Sequence, residues 1–418
     1  MNPCRLCGQS LELLLDFGPQ PLCNRFLPEP SAAEVRYPLQ LGQCPSCGLL
    51  QLIQPVPAAI LRPPRPMRYN EAESHLDRLV DRLTALPGVS PEARVCGLTG
   101  KDASTIDRLK RRGFAHAACL DPRRDLGVEH AAAGLETIQE RISAGALDGL
   151  ANHRGACQLV IARHILEHAH DLRRFADGVR GLLAPGGYLV FEVPDFTHSV
   201  LEGNYSTLWE EHVVYLTKAT FPAVLQRLGF QVRETLTYPS PIEDLLVGVV
   251  QAGEQGCAAA HEVDLAEERA RAQAYAARLP AVRDAWARAL AGERGAGGQV
   301  ALLGAGHPAI MFLNLLRLQG AIDFAVDDDP AKCGWWLPGS HLPVCPPEAL
   351  YARPARLCLI SVAAEQEDKV LRRHRRFLES GGRLASIFPG SDLAFSLPLG
   401  ESPSPLRNEG IQAQQQGG

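Results

Sequence analysis

Two closely spaced pairs of cysteines are the strongest chemical signal in the amino-acid sequence. They occur in the segments CRLCG and CPSCG, near the N-terminus. A Cys-x-x-Cys-Gly knuckle turns two thiolates toward one ion, and two knuckles form a closed tetrahedral zinc site. We therefore predict a structural zinc ion bound by Cys4, Cys7, Cys44 and Cys47, the alternative being free thiols. Four thiolates leave no open coordination position, so this zinc would stabilise the fold and take no part in catalysis.

Composition limits the classes of protein to which the chain can belong. Its 418 residues are enough for two or three domains, and its net charge of -5 gives no electrostatic basis for binding nucleic acid or an acidic membrane. The sequence has neither a secretory signal pattern nor a run of about 18 apolar residues. With twelve cysteines, these features favour a cytoplasmic protein whose thiols stay reduced.

Strands and helices alternate through the middle of the chain. Apolar runs predict strands at about 95–100, 117–121, 158–162, 188–193, 232–238 and 245–251. Segments with helical spacing lie between most of them, and a turn is predicted at 184–187. This order predicts an α/β fold, with a mostly parallel sheet, helices on both faces and a hairpin at its edge.

The segment VCGLTGKDAS follows the first of these strands, where α/β proteins bind ligands. Gly97 and Gly100 are too close for a Walker A loop, and the glycines do not fit a dinucleotide-binding motif either. Asp121, after the next strand, is placed to accept hydrogen bonds from ribose hydroxyls. On these residues alone, a nucleoside site and an ordinary turn remain equally good interpretations.

The segment QLVIARHILEH, with the later PGGYLVFEVPD, strongly resembles the class I S-adenosylmethionine-dependent methyltransferases. With the cysteine knuckles, GPQPLCNRFL and EEHVVYLT, the whole order resembles the sugar C-methyltransferases, which methylate nucleotide-linked 4-keto-deoxysugars. The resemblance covers roughly residues 4–395. It implies an N-terminal zinc-binding module, a central methyltransferase domain with a Rossmann-like sheet and a second, C-terminal Rossmann-like domain.

The reaction of that family requires a base that removes a proton from the carbon beside a ketone. By resemblance His212 is this base, Glu211 is its acidic partner and Tyr215 donates to an oxygen. His164, at the end of a strand, faces the donor or the sugar, and His168 is interpreted as structural. The alternative interpretation is a solvated Glu-Glu-His corner with Tyr215 packed inward.

The resemblance also implies the residues that bind the methyl donor, S-adenosylmethionine. The implied set is Gly97, Thr99, Gly100, Asp102, Asp121, Ala162 and Arg163. The first motif departs from the family pattern, because Gly97 replaces an acidic residue and Ala103 replaces a glycine. Lys101 adds a cation that is unfavourable near a sulfonium unless it turns to solvent or to the donor's carboxylate. Trp209 stands where the family often has a tyrosine.

A second strand–glycine–helix unit begins at QVALLGAGHP. Gly304 and Gly306 form its turn, and Asp327 follows the next strand, where it could accept from a ribose. By resemblance this domain helps to bind the nucleotide-linked sugar, and Tyr69 is a further substrate-binding candidate.

The predicted organisation is a zinc module (1–60), a methyltransferase domain (61–253), a helical linker (254–298), a C-terminal domain (299–395) and a disordered tail (396–418). We expect a monomer or weak homo-oligomer that binds a small molecule and neither nucleic acid nor a membrane. Two alternative functions remain at this stage. One is methylation of another acceptor, such as oxygen, and the other is a catalytically decayed relative that binds a nucleotide sugar.

Overall fold

Three β-sheets organise the chain. The computed structural model describes residues 2–63, 73–130, 134–240, 242–253, 261–295 and 297–397. These residues form a four-stranded sheet at the N-terminus, a six-stranded sheet in the middle and a five-stranded sheet at the C-terminus. The α/β prediction is confirmed. Tyr69 lies outside the described residues.

The N-terminal sheet is antiparallel and takes its fourth strand from far along the chain. Its strands are β1 (Glu12–Pro21), β2 (Arg36–Gln43), β3 (Leu50–Leu52) and β8 (Val214–Tyr215), in the spatial order β1-β2-β3-β8. The short helix α1 (Ala58–Leu61) follows β3. One cysteine knuckle precedes β1 and the other connects β2 to β3, so the sheet positions both pairs.

The distances between the four cysteine sulfurs suit tetrahedral coordination of one metal ion. The Sγ atoms are 3.7 Å apart for Cys4 and Cys47, 3.4 Å for Cys7 and Cys44, and 3.8 Å for Cys7 and Cys47. Zinc–sulfur bonds of about 2.3 Å place tetrahedral ligands about 3.8 Å apart, so this arrangement fits zinc. Cys23 is buried outside the group, and its backbone N–H donates to Glu210.

The central sheet has the strand order β5-β4-β6-β7-β10-β9, in which the first four strands are parallel and the last two form an antiparallel hairpin. Its strands are β4 (Val95–Gly97), β5 (Ala117–Cys119), β6 (Cys157–Arg163), β7 (Leu183–Pro194), β9 (Phe230–Tyr238) and β10 (Leu245–Ala252). The parallel strands are covered on both faces, which explains their continuous apolar runs.

The helices of this domain are α2 (Leu76–Thr84), α3 (Ala103–Arg111), α4 (Pro122–Leu126), α5 (Leu135–Ser143), α6 (Leu150–Arg154), α7 (Leu172–Arg180), α8 (Thr197–Glu202) and α9 (Thr220–Arg227).

The predicted turn at 184–187 is an interruption within β7. Leu183 lies opposite Cys157 and Tyr188 lies opposite Leu159, so the intervening residues bulge out. Gly186 supplies the left-handed backbone of the bulge, at φ 74°.

Helix α10 (Leu265–Gly295) connects the central and C-terminal domains. The helix is continuous through Pro280. One stripe, with Tyr275, Leu279 and Trp286, is buried in a hydrophobic core shared with both neighbours. The linker is therefore part of the packed structure and more than a solvated surface helix.

The C-terminal sheet is fully parallel, in the order β13-β12-β11-β14-β15. Its strands are β11 (Gln299–Leu303), β12 (Phe324–Val326), β13 (Val344–Cys345), β14 (Ala355–Ile360) and β15 (Arg383–Ser386), with helices α11 (His307–Leu315), α12 (Ala349–Ala352), α13 (Glu367–Arg373) and α14 (Arg375–Glu379). None of the helices in the described ranges has the length and apolar composition needed to cross a bilayer.

The first and last domains also touch directly. The backbone groups of Leu27 and Trp336 exchange two hydrogen bonds of 2.9 Å, and Gly339 donates its backbone N–H to Glu34. These contacts tie the zinc module to the C-terminal domain.

We predict that Cys44→Ser removes zinc from the module and destabilises it. Binding of structural zinc by such modules is worth on the order of 10 kcal/mol, so its loss should cost several kcal/mol of folding free energy. Zinc content per chain and the thermal unfolding midpoint measure the effect. The matched control is Cys345→Ser, in β13, which should keep one zinc per chain. Retention of zinc by Cys44→Ser would show that the ion binds elsewhere.

Candidate active site

A cleft of about 610 Å³ lies where the carboxyl ends of the central and C-terminal parallel strands face each other. Parallel strands direct the residues that follow them toward one sheet edge, where α/β proteins bind ligands. The central domain contributes side chains that can carry chemistry, namely Lys101, His164, Glu167, His168, Trp209, Glu211, His212 and Glu243. The C-terminal wall includes Leu303–Pro308, Asp327, Lys332, Ser361 and Lys369.

His212 is held in this cleft by hydrogen bonds on either side of its neighbour Val213. The Val213 N–H donates to the Glu167 carbonyl at 2.8 Å, and its carbonyl accepts from the Leu52 N–H at 3.0 Å. Two residues later β8 pairs with β3, with Leu50 opposite Tyr215. The zinc module thus fixes the backbone from which the His212 imidazole projects.

The surroundings of His212 favour its neutral form. Its ring lies 4.8 Å from the His168 ring and 5.1 Å from the Trp209 rings, between centroids, both in edge-on arrangements. Burial, followed by the nearby His168 and His307, holds the pKa of His212 well below its ordinary value. At neutral pH the imidazole is therefore unprotonated and can accept a proton.

Acidic and imidazole side chains collect around His212 at the base of the cleft. We call Glu136, Glu167, His168, Glu211 and His212 the floor cluster. The His168 Nδ1 atom lies 2.9 Å from the Glu136 carboxylate. Glu211 is buried, accepts from Asn24 at 3.3 Å and lies near Glu136 and His168.

Tyr215 has a different environment from the one the sequence suggested. Its hydroxyl donates to the Trp209 carbonyl at 3.0 Å and accepts from the Trp209 N–H at 3.1 Å. The ring packs against Phe196, with 4.7 Å between centroids. The side chain does not line the cleft.

His164 lines the cleft and ends β6 in a left-handed backbone conformation, at φ 49°. Its Nε2 atom lies 3.1 Å from Glu192, and its Nδ1 atom lies 3.6 Å from Glu167. Although burial opposes the charged form, these two carboxylates raise the pKa of His164 above its ordinary value.

The glycine loop after β4 is braced from within. Asp102, fully buried, accepts from the Thr99 N–H at 2.8 Å and from the Arg163 N–H at 2.9 Å, and Thr99 accepts from the Lys101 N–H. A Cβ atom on Gly97 would lie 2.7 Å from that of Asp102, so close packing explains this glycine. Gly100, by contrast, has open space at its Cβ position.

A buried ion network lies behind this loop. The Arg163 guanidinium, 1% exposed in its side chain, donates to Glu192 at 2.7 Å and to the Lys101 carbonyl at 2.8 Å. The other Glu192 oxygen lies 2.8 Å from His75. Despite burial, Arg163, His164 and His75 together hold the pKa of Glu192 well below its ordinary value.

None of the seven predicted donor-binding residues is among the residues that line the cleft. Lys101, which was not in that set, lines it from the loop between Gly100 and Asp102. Asp121 is exposed after β5, outside the cleft lining, where it accepts from the Arg124 N–H and begins α4.

In the C-terminal domain the three predicted substrate-binding residues line the cleft together. Gly304 has φ 98°, and a Cβ atom there would lie 2.8 Å from Val362. The Asp327 carboxylate accepts from the Ala305 N–H at 2.7 Å and pairs with Lys332 at 3.0 Å. Asp327 therefore braces the glycine turn as well as facing the cleft.

His307 closes the cleft across the two domains. Its ring stacks on Trp209 with 3.9 Å between centroids and 19° between planes. Burial, with Lys101 and His168 nearby, lowers the pKa of His307 to about 3, so the stacked imidazole is neutral.

Several cleft residues were not identified by sequence reasoning. His168 was interpreted as structural, but it lies on a 3₁₀ turn (Leu166–His168) and lines the cleft. Its spacing of four from His164 and its neighbour Glu167 were available signals. Glu136 and Glu243 are remote in sequence, and no local pattern marks them.

Comparison with known proteins gives matches in all three parts of the chain. Family models match a putative zinc-binding domain over residues 4–61, a methyltransferase domain over residues 71–235 and a C-methyltransferase C-terminal domain over residues 256–389. The C-methyltransferase NovU of Streptomyces niveus is 26% identical over 409 residues, covering 93% of this chain and 96% of that protein.

Solved structures match less than half of the chain. An O-methyltransferase family protein from Burkholderia thailandensis is 21% identical over 43% of this chain and 58% of that chain, with a TM-score of 0.27. The 1,6-didemethyltoxoflavin-N1-methyltransferase of the same organism, solved with S-adenosylhomocysteine, is 12% identical over 45% of this chain and 94% of that chain, with a TM-score of 0.26.

We predict that Glu192→Gln destabilises the protein by about 3–5 kcal/mol, because it leaves the Arg163 guanidinium buried without its carboxylate. Urea unfolding followed by circular dichroism measures the change. Glu234→Gln is the matched control, since its carboxylate pairs with the exposed Arg82 and should change stability little. Equal effects of the two substitutions would contradict the assignment.

Proposed function

We propose that this S-adenosylmethionine-dependent methyltransferase, whose C-terminal part matches a C-methyltransferase C-terminal domain, methylates a carbon beside the ketone of a nucleotide-linked deoxysugar. His212 acts as the general base in this proposal. The observation that supports it is that His212, His164 and Lys101 line one cleft. A base, a polar wall and the glycine loop thus face the same space.

The charged groups of the cleft fit the methionine end of S-adenosylmethionine, which carries a carboxylate, an ammonium and a sulfonium. Lys101 provides a cation for the carboxylate, and Glu243 provides a carboxylate for the positive groups. Burial lowers the pKa of Lys101 to about 8 and raises that of Glu243 to about 8, so each gains when an opposite charge enters. When bound, the donor supplies an electrophilic methyl group. Asp121 would hold the ribose at the exposed end.

The neutral His212 imidazole is suited to take the proton from the acceptor carbon. A correctly placed base of this kind contributes about 10²–10⁴-fold to the rate. Glu211 belongs to the same floor cluster and lies near His168, so it orients the imidazoles of the cluster and stabilises the protonated form.

The developing enolate needs a positive or hydrogen-bonding group near its oxygen. Tyr215 does not fill this role well, because its hydroxyl is already bonded to Trp209. His164 takes the role instead in our proposal. It lines the cleft, and its raised pKa favours the cationic imidazolium.

The C-terminal wall suits an acceptor that carries phosphates. Lys332, Lys369 and Arg373 line the cleft beside the Gly304 turn. Cationic side chains and backbone N–H groups at a helix start bind phosphate oxygens. Asp327 would accept from a sugar hydroxyl while it holds the turn.

We predict that His212→Ala lowers kcat by about 10²–10⁴-fold with labelled S-adenosylmethionine and a panel of keto-sugar nucleotides. His212→Gln, which keeps a polar side chain of similar length, should be equally impaired. His153→Ala, an exposed histidine on α6, is the control and should retain full activity. Zinc content and the unfolding midpoint report on folding in each variant.

Proton removal can be measured without methyl transfer. In D₂O with S-adenosylhomocysteine, the wild type should exchange deuterium into the acceptor carbon, and His212→Ala should not. A methylated product without exchange at that carbon, or with the new methyl on oxygen, would contradict C-methylation.

We also predict that Lys369→Ala raises the KM for a diphosphate-bearing acceptor about tenfold while kcat stays unchanged, since it removes one charge-assisted contact made equally in the ground and transition states. Lys110→Ala, on α3 and away from the cleft, should leave KM unchanged. Steady-state kinetics with a dephosphorylated acceptor completes the test, because the two enzymes should then behave alike.

A further inference from the structure

The floor cluster places metal-binding atoms around a common centre. The ligand atoms of Glu167, His168 and His212 all lie within 4.8 Å of one another, and so do those of Glu136, His168 and Glu211. Bonds of about 2.1 Å place ligands on one ion at most about 4.2 Å apart. Side-chain adjustments of well under 1 Å would therefore close either group around an ion.

A second observation concerns Glu167. Its side chain is only 2% exposed, and among the described residues neither of its carboxylate oxygens accepts a hydrogen bond. The His164 Nδ1 atom lies 3.6 Å from it, beyond hydrogen-bond distance. A buried carboxylate without hydrogen-bond donors is costly unless a cation approaches it.

The rest of the cluster is also acidic. Glu136, Glu167 and Glu211 contribute three buried carboxylates. Lys101 and His164 are the cationic side chains that line this wall of the cleft. The three carboxylates outnumber them, so a bound cation would offset the remaining negative charge.

We propose that Glu167, His168 and His212, supported by Glu136 and Glu211, bind a divalent transition-metal ion at the base of the cleft. The site is separate from the four-cysteine site. Imidazole nitrogens with carboxylate oxygens favour Zn²⁺, Co²⁺ or Ni²⁺ over Mg²⁺ and Ca²⁺, which prefer oxygen ligands alone.

Binding of this ion and proton transfer by His212 exclude each other, since one lone pair serves both. The ion is thus an inhibitor of methyl transfer, which is the part of the inference that rests on the proposed function. The binding site itself does not depend on it.

The test uses the full chain with one Zn²⁺ per molecule in the cysteine site, without donor or acceptor. Co²⁺ is titrated and followed by calorimetry, metal analysis and visible absorption. The expected result is one further Co²⁺ per chain, with d–d bands and no thiolate charge-transfer band, and no displacement by Mg²⁺. Failure of the wild type to bind this second equivalent would overturn the proposal.

Variants locate the second ion. His168→Ala and the isosteric Glu167→Gln should each weaken its binding at least tenfold while the cysteine-bound zinc and the unfolding midpoint are retained. His198→Ala removes the histidine of another acidic group, with Asp195 and Asp244, and should leave binding unchanged. Unchanged binding in both floor variants, or its loss in His198→Ala, would place the ion elsewhere and refute the site.

Activity gives a separate result. Methyl transfer by the enzyme without the second ion tests the proposed function alone. Added Co²⁺ should then reduce the rate in proportion to occupancy of the site. Binding without inhibition would preserve the site and show that His212 is not both ligand and base.

Discussion

The antiparallel pairing of β3 with β8 is the contact on which the cleft depends. Strand β8 belongs to the N-terminal sheet, although it lies more than 160 positions after β3 in the chain. Val213, the residue before β8, is hydrogen-bonded on one side to Leu52 of the zinc module and on the other to Glu167 of the cleft. Because the second cysteine knuckle leads directly into β3, the order of the zinc module determines the position of His212. The predicted zinc site thereby governs the geometry of the segment that carries His212.

Local patterns in the sequence predicted the parts of the molecule that are themselves local. The cysteine knuckles, the alternation of strands and helices and the two glycine turns each depend on a few adjacent residues. Tyr215 shows the limit of this reasoning. Tyr215 joins the N-terminal sheet and packs into the core, while His212 lines the cleft. Glu136 reaches His168 because α5 packs against the 3₁₀ turn that carries His168, which no pattern around either residue reveals.

The buried charges fall into two layers with different consequences. Arg163, Glu192 and His75 are sealed behind the wall of the cleft, where each charge has a partner and the network fixes the loop through the Lys101 carbonyl. In front of that wall, Lys101 and Glu243 face open space, with pKa values shifted by burial. The sequence assigned Asp102 and Arg163 to the donor; in the structure Asp102 accepts from the Thr99 and Arg163 N–H groups, and the Arg163 guanidinium pairs with Glu192. The sealed layer stabilises the wall, and the facing layer borders the space that a ligand would occupy.

Burial of His212 leaves a lone pair that can accept a proton and can also bind a metal ion. Desolvation disfavours the imidazolium, so the lone pair is free at neutral pH to accept a proton from carbon. The same free lone pair, beside a second imidazole and three carboxylates, is also what a transition metal binds. Protons do not compete with a metal for this lone pair at neutral pH, because the pKa of His212 lies well below its ordinary value. The four-cysteine site cannot take up this second metal ion, because four thiolates hold one zinc and have no position for another. Under the proposed function, an acceptor whose ketone fills the space above His212 would exclude the metal, so that substrate binding would also protect the proposed base.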